Sequence, residues 1–366
     1  MLGGRAAEHR LVRSPREAMT LGTRVAPVHP SLALPAGVDL DAFRAARARI
    51  SGYVLATPLV RARVGIVPAG RGDVKRGIAD IPVGDPRLGG DVLLKLESLQ
   101  VSGSFKARGA LNKVLSLPPD VARRGLVTAS GGNHGLAVAH AGRVVEVPTT
   151  VYLPTRTSAA KATRIESWGA TVVRVGAVWD EAHAVAVEHA TREGLTYVHP
   201  FADPAVVAGQ ATIALEVLEQ APEVDLFVVA IGGGGLISGV AAAAKLLRPD
   251  LRIIGVEPEG APTLTESLRA GEVIELASIH TAAGTLAPRR SDALNLAIIR
   301  ECVESIVLVS DDEMRDAARF LLVEIGIGAE LSGAAALAAL LSGRLDLGAA
   351  RHPCILVCGA GSDALS

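Results

Sequence analysis

The sequence predicts an α/β fold built on parallel β-sheet. Three observations carry that reading. Short β-branched apolar runs alternate with Ala-rich helical stretches through most of the chain. Gly-rich turns fall where strands hand over to helices. The composition, 49% hydrophobic and 20% charged over 366 residues, is that of a globular chain and excludes wholesale disorder. Strands separated by helices of this length require right-handed crossovers, which cover both faces of a parallel sheet. In such sheets ligands collect at the carboxyl ends of the strands.

The elements follow in order. Val92–Leu96 reads as a strand and Ala107–Leu115 as a helix. Leu126–Ala129, Val147–Leu153 and Thr171–Val175 read as strands, separated by helices at Asn133–Ala141 and Ala159–Trp168. A helix at Glu181–Arg192 leads to a strand at Tyr197–His199 and a helix at Ala208–Gln220. Leu226–Ala230 and Arg252–Val256 are strands flanking a helix at Ser238–Leu247. Beyond them come a strand at Ser305–Val309, helices at Asp311–Ile325 and Ser332–Ser342, and a final strand at Cys354–Cys358. Residues 62–90, rich in Gly, Pro and Arg, show no period and read as a long loop. The first 38 residues carry Arg and Pro without an apolar core, so they read as a flexible tail and not as a secretory signal; Met19 is a second candidate start.

Charge and cysteine content narrow the function. Lys+Arg 37 against Asp+Glu 38 leaves a net charge of −1, so no global field draws nucleic acid or anionic lipid. Three cysteines, Cys302, Cys354 and Cys358, are too few for a disulfide scaffold and lack zinc-type pairing, which points to a reducing, cytoplasmic setting. The most apolar windows, Gly333–Leu341 and Val240–Leu247, are far shorter than the roughly 20 residues of a membrane span.

Four strand-to-helix junctions could carry chemistry. In Ser102-Gly103-Ser104-Phe105-Lys106, small residues lead to a lysine at a helix start. There the dipole and apolar neighbours favour a neutral, nucleophilic amine, although a surface lysine after a loop has the same local pattern. In Ser130-Gly131-Gly132-Asn133-His134 the glycines let backbone N–H groups converge on an anion, while Asn133 offers a donor and an acceptor; the plainer reading is a tight turn with an Asn cap. Gly232, Gly233, Gly234 and Gly235, followed by Leu236, form a nest suited to phosphate. The run has neither the dinucleotide spacing nor the Gly-Lys-Ser/Thr ending of a Walker loop. Val357-Cys358-Gly359-Ala360-Gly361-Ser362 closes the last strand with a thiol that is otherwise a small buried hydrophobe. A lysine amine, an asparagine, a phosphate nest and a neutral thiol in this chain order describe a pyridoxal phosphate pocket.

On these residues the chain resembles the fold-type II pyridoxal-phosphate enzymes of the threonine/serine dehydratase (ammonia-lyase) family, from about Leu40 onward. The resemblance includes Thr57-Pro58-Leu59, Leu94 to Gln100, His199-Pro200-Phe201-Ala202-Asp203-Pro204, Ala208-Gly209-Gln210, Gly255-Val256-Glu257-Pro258 and Glu330-Leu331-Ser332-Gly333-Ala334. It implies a tryptophan synthase β-like architecture of two parallel-sheet α/β domains with the cofactor in the cleft. The large domain would be 39–124 with 202–366, and the small one 125–201. By the same match Lys106 carries the cofactor, Phe105 lies beside its ring, Asn133 meets its hydroxyl, Gly232 to Leu236 hold its phosphate, and Cys358 faces the ring nitrogen. Ser130, Gly131, Gly132 and His134 match the loop that holds the substrate carboxylate.

The implied reaction is β-elimination from a β-hydroxy amino acid such as L-threonine or L-serine, giving a 2-oxo acid and ammonia. The alternatives are a β-replacement synthase, another β-hydroxy amino acid dehydratase, and a catalytically dead binding homologue. Partners would be the small amino acid and further copies of the chain, as a dimer or tetramer. Three departures bear on this. Racemases of the group have a serine where this chain has Gly131. Its dehydratases usually show Thr-Ile-Ala-Asp-Gly where this chain has Thr281-Ala282-Ala283-Gly284-Thr285. The family's cation site would use Glu257, but its Asp partner is replaced by Thr263, so a metal is not predicted and a cation near Glu257 is left open. The sequence stops at the final strand, so inhibition through an isoleucine-sensing domain is not expected either.

Overall fold

The computed structural model describes residues 23–24, 32–65 and 89–361. It contains two sheets. The larger one uses β1 (Thr23–Arg24), β2 (Leu59–Gly65), β3 (Gly89–Leu96), β8 (Leu226–Ala230), β9 (Arg252–Pro258), β10 (Ser305–Val309) and β11 (Pro353–Val357), in the order β1-β10-β9-β8-β11-β3-β2. The smaller uses β4 (Leu126–Ala129), β5 (Thr149–Leu153), β6 (Thr171–Arg174) and β7 (Thr196–Tyr197), in the order β6-β5-β4-β7. All strands of the smaller sheet are parallel. So are the five inner strands of the larger one.

The edges depart from the all-parallel expectation. β2 pairs antiparallel with β3, and β1 pairs antiparallel with β10. Edge strands have one free side, so they accept either direction more easily than a central strand does. The expected loop at 62–90 is likewise corrected at both ends: 62–65 extend β2 and Gly89 and Gly90 open β3. Its Arg-Ala-Arg-Val alternation, with Ala62 and Val64 buried, is a half-exposed strand pattern. The expectations for residues 1–22, 25–31, 66–88 and 362–366, Met19 and Ser362 among them, lie outside the described residues.

Helices fill the connections. They are α1 (Leu40–Ile50), α2 (Lys106–Leu115), α3 (Pro119–Ala122), α4 (Asn133–Val144), α5 (Ala159–Glu166) and α6 (Trp179–Glu193) in the first half. The second half holds α7 (Pro204–Gln220), α8 (Gly235–Leu247), α9 (Thr263–Ala270), α10 (Ala293–Cys302), α11 (Asp311–Phe320) and α12 (Leu331–Leu341). Their starts follow the capping chemistry. Asp203 caps α7 ahead of Pro204, which moves the start four residues before the expected Ala208. Ser310 and Glu313 form a reciprocal capping box on α11. The expected strand at Tyr197–His199 ends at Tyr197, because His199 turns its Nδ1 to the amides of Phe201 and Ala202.

Small residues let the central helices approach backbone to backbone. A Cβ added at Gly209 of α7 would lie 2.5 Å from the Arg108 carbonyl oxygen of α2. One added at Gly239 of α8 would lie 2.5 Å from the Val207 carbonyl oxygen of α7. All eleven residues of α12 are buried. A Gly209→Ala variant is therefore expected to lose about 1–3 kcal/mol of stability through backbone overpacking. Gly52→Ala, where an added Cβ meets nothing within 4 Å, should stay within about 0.5 kcal/mol. Urea midpoints of the two variants check the contrast.

Candidate active site

Five loops meet where parallel strands end. Residues 97–105 follow β3, 130–132 follow β4, 198–203 follow β7, 231–234 follow β8, and 358–360 follow β11. Lys106 is the first residue of α2, whose start has no side-chain cap. Ahead of it Ser102 takes φ +63° and Gly103 φ +85°. A left-handed serine costs of order 1–3 kcal/mol, so the surrounding structure must hold this turn in place. It does so through the Ala360 amide, which donates to the Gly103 carbonyl (2.8 Å), and the Phe105 amide, which donates to the Cys358 carbonyl (3.2 Å).

The Lys106 amine donates to the Pro200 carbonyl at 2.6 Å. Burial pushes its pKa down to about 8, against the pull of nearby Cys358 and Glu330. A substantial neutral fraction of the amine therefore exists near neutral pH.

The remaining residues close a ring around this amine. Asn133, first residue of α4, donates to Glu330 Oε1 at 2.7 Å, and Thr285 Oγ1 donates to the same oxygen at 3.1 Å. Gly359 packs so closely on this group that an added Cβ would lie 2.5 Å from Glu330 Oε1. Cys358 is buried, its thiol directed to the Ser332 carbonyl (3.5 Å), and burial raises its pKa, so it is a neutral thiol. Ser130 Oγ accepts the Gly132 amide at 3.2 Å, shaping the turn into α4. His134 Nε2 donates to the Val198 carbonyl at 2.9 Å; burial drives its pKa down to about 3 and leaves a neutral ring. Gly132 lies against Thr285, and Gly131 against Thr157.

The glycine run has two requirements of its own. Gly234 takes φ +92° as the residue before α8, and an added Cβ at Gly233 would lie 2.2 Å from the Phe201 ring. No side chain caps α8, so its first amides, including Leu236, present a positive helix end at the site. Helix α8 starts at Gly235, three residues earlier than the sequence pattern indicates, and the run thus belongs partly to the helix.

Every candidate site residue from Phe105 to Cys358 thus falls on these strand-end loops or on the helix starts that follow them. Sequence reasoning missed the residues that close the ring, namely Glu330, Thr285, His199, Pro200 and Phe201. Most of them stood in recognised segments, but only spatial adjacency joins Glu330 to Asn133. Glu257 lies elsewhere. It is fully buried and accepts from the Leu264 and Thr265 amides and the Thr265 hydroxyl, an acidic cap on α9. Among the described residues no cluster of three or more His, Cys, Asp or Glu could hold a metal. No helix among them is long and apolar enough to cross a membrane.

Comparison with known proteins agrees on one family. The family described as pyridoxal-phosphate dependent enzyme matches residues 77–359. The L-threonine ammonia-lyase of Thermotoga maritima is 40% identical over 259 residues, 71% of this chain and 64% of that protein. This chain thus spans a little under two thirds of that relative's length. The phenylserine dehydratase of Ralstonia pickettii is 35% identical over 329 residues, 89% of this chain and 94% of that one. Among solved structures, maize serine racemase superposes with a TM-score of 0.78 at 32% identity, covering 88% of this chain and 93% of its own.

The lowered Lys106 pKa has a direct readout. In protein stripped of small ligands, the rate of Lys106 labelling by an amine-selective reagent should rise about tenfold per pH unit and level off above about 8. Peptide mass spectrometry locates the label, and Lys106→Ala should abolish that peptide's modification.

Proposed function

The chain belongs to the pyridoxal-phosphate dependent enzymes, and from that footing we propose that it catalyses β-elimination from a β-hydroxy amino acid, releasing a 2-oxo acid and ammonia. The observation that carries the reading is the lowered-pKa amine of Lys106, set among an uncapped, glycine-run helix start and a neutral buried thiol. These residues fit the cofactor. Lys106 Nζ would hold it covalently, the amides of Gly232, Gly233, Gly234, Gly235 and Leu236 its phosphate, Asn133 its hydroxyl, and Phe105 and Cys358 its ring. Pyridoxal phosphate, when bound, supplies a sink for the electrons left at the substrate α-carbon.

The chain's own groups do the rest. Ser130, Gly131, Gly132 and His134 receive the substrate carboxylate at the start of α4, where amides and the helix dipole favour an anion. Lys106 Nζ, when free, would be the base for the substrate α-proton, and its lowered pKa keeps the amine unprotonated in useful amount. His134 and His199 are not proton donors at neutral pH, since burial takes them to about 3 and about 4. Cys358 offers no negative charge to the ring nitrogen. A neutral thiol there would favour prompt loss of the β-hydroxyl, which would leave as water with the proton that Lys106 Nζ took from the α-carbon.

Two bodies frame this chemistry in our reading: 125–201 as a small domain, and 39–124 with 202–366 as a large one. Movement of the small domain would exclude water from Lys106. A homodimer or homotetramer is the expected assembly. Tyr53, Leu55 and Leu99 support it, since their large apolar side chains are exposed and Gln100 holds the Leu55 backbone beside Leu99. Three buried free thiols suit the cytoplasm.

The holoenzyme should release ammonia and 2-oxo acid in equal amounts from a panel of β-hydroxy amino acids. Lys106→Ala should lose about 10²–10⁴-fold in kcat and no longer yield a borohydride-fixed cofactor adduct. Turnover that consumes an activated serine and a nucleophile without ammonia would replace this reading with a synthase. A second expectation concerns stereochemistry. Gly131 stands where racemases of the group carry a serine and has no hydroxyl of its own to act as a second acid/base, so D-serine should form far more slowly than pyruvate from L-serine. Comparable rates on chiral chromatography would contradict the assignment.

A further inference from the structure

One group of side chains beside the site is not used by the chemistry above. Trp179 and His183, one turn apart on α6, stack at 4.6 Å with an interplanar angle of 11°. His183 Nδ1 meets the Tyr197 hydroxyl at 2.7 Å, and the two rings lie 5.3 Å apart. His199 stands edge-on to His183 (6.3 Å), Tyr197 (6.1 Å) and Phe201 (4.7 Å). All five spacings lie in or close to the range in which rings attract through their quadrupoles. All five side chains are half-buried, so each keeps part of its surface open. On the same side of α6, Ala182, Ala186 and Ala190 pack on Val127, Ala129 and Tyr152, and Tyr197 packs against that cluster too, so the rings continue this face toward the strand ends.

The group is tied to the site at both ends. Trp179 Nε1 donates to the Ala129 carbonyl at 2.8 Å, one residue before the Ser130 turn. Pro200, whose carbonyl takes the Lys106 amine, lies between His199 and Phe201 in the chain. Phe201 fills the space over Gly233. The rings therefore run from the turn that would hold the substrate carboxylate to the amine that would take its α-proton. A substrate held between those two points would have this row beside its β-carbon. Asp180, beside Trp179, is 3.9 Å from Arg289, so the row also sits where the smaller sheet's helix meets the larger body.

We propose that Trp179, His183, Tyr197, His199 and Phe201 form the wall that receives the substrate's β-substituent, and that this wall selects an aryl group. A 3-arylserine is then the preferred substrate class, ahead of serine and threonine. The inference rests on the β-elimination reading for the reaction but not for the binding. Flat π-faces and neutral imidazoles attract another ring, whereas a hydrogen or a methyl leaves most of the wall uncovered. Burial lowers the pKa of His199 to about 4, lowers that of His183 and raises that of Tyr197, so the wall carries no charge at neutral pH. The five wall side chains offer no cation to an acidic β-substituent; the nearby Arg289 is shared with Asp180, and Asp292 lies near His199.

The test uses the holoenzyme with L-3-phenylserine, L-threonine and L-serine. Binding is read from the change in cofactor absorbance and turnover from ammonia release. The wall predicts at least about a tenfold preference for phenylserine over threonine in both binding and kcat/KM. In Trp179→Leu and His183→Leu that ratio should fall about tenfold, chiefly through the phenylserine KM, and Trp179→Phe should restore most of it. A native ratio at or below one, or a ratio unmoved in both leucine variants, overturns the proposal. If threonine is turned over without aryl preference, the wall is wrong and the elimination reading stands. If phenylserine binds selectively but no ammonia appears, the elimination reading falls and the wall stands. No absorbance response to any of the three sinks both. Should the leucine variants not fold, His183→Gln should show the same fall in the ratio with a smaller steric change.

Discussion

The placement of Lys106 depends on a charged group two residues further along α2. Arg108 is 1% exposed, and its guanidinium grips both oxygens of Glu97 at 2.8 and 2.7 Å. Its third arm reaches Glu216 Oε2 of α7 at 3.0 Å. Lys95, fully buried on β3, takes the other Glu216 oxygen and the Thr57 carbonyl. Burial alone would raise the Glu97 pKa, but Arg108 and the Thr57 hydroxyl overrule it and hold the carboxylate ionised. Two cations and two anions thus cancel in the interior. Removing one partner would strand a buried charge, at a cost of about 3–5 kcal/mol. The network joins β3, α2 and α7 into one rigid body and so fixes the first turn of α2, on which the reactive amine sits.

That rigidity explains how an unfavourable loop persists. The left-handed Ser102, the uncapped starts of α2 and α8 and the neutralised histidines are all costly locally. They are sustained by surroundings that have no slack: helices that touch through glycine and a sheet whose central strands β8 and β11 are wholly buried. Stability is concentrated in the framework, and the strand-end loops use it.

How much of this was legible in the sequence follows from what each element depends on. Strands β4, β8 and β10 run over the residues that their β-branched runs mark, because a central parallel strand is apolar on both faces and is bounded by turn residues. Edge strand β2 was hidden, since three of its seven residues are arginine or glycine and its pairing partner begins 24 residues after it ends. Helix α1 went unassigned although Asp39 caps it and Phe43, Ala46 and Ile50 mark its buried side. In the site, the glycine-rich turns and Lys106 were visible because each is a local pattern. The Glu330 carboxylate under Asn133 was not, because 197 residues separate them. The ring wall was invisible for the same reason: it draws one pair of residues from a helix and the others from a strand and the turn after it.

The glycine and alanine seams have a consequence for how this protein can vary. In α8 and α12 the neighbours of an enlarged side chain are main-chain atoms, such as the Gly359 carbonyl oxygen that lies 2.3 Å from where a Cβ on Gly333 would be. Main chain has no alternative rotamer, so such a clash cannot be relieved by local repacking. Tolerated change is thereby pushed outward, to helix faces in water and to the rim of the cleft. Selection for a new substrate could rework the rim freely while the interior stays almost frozen, an architecture in which diversification of specificity comes at little risk to folding.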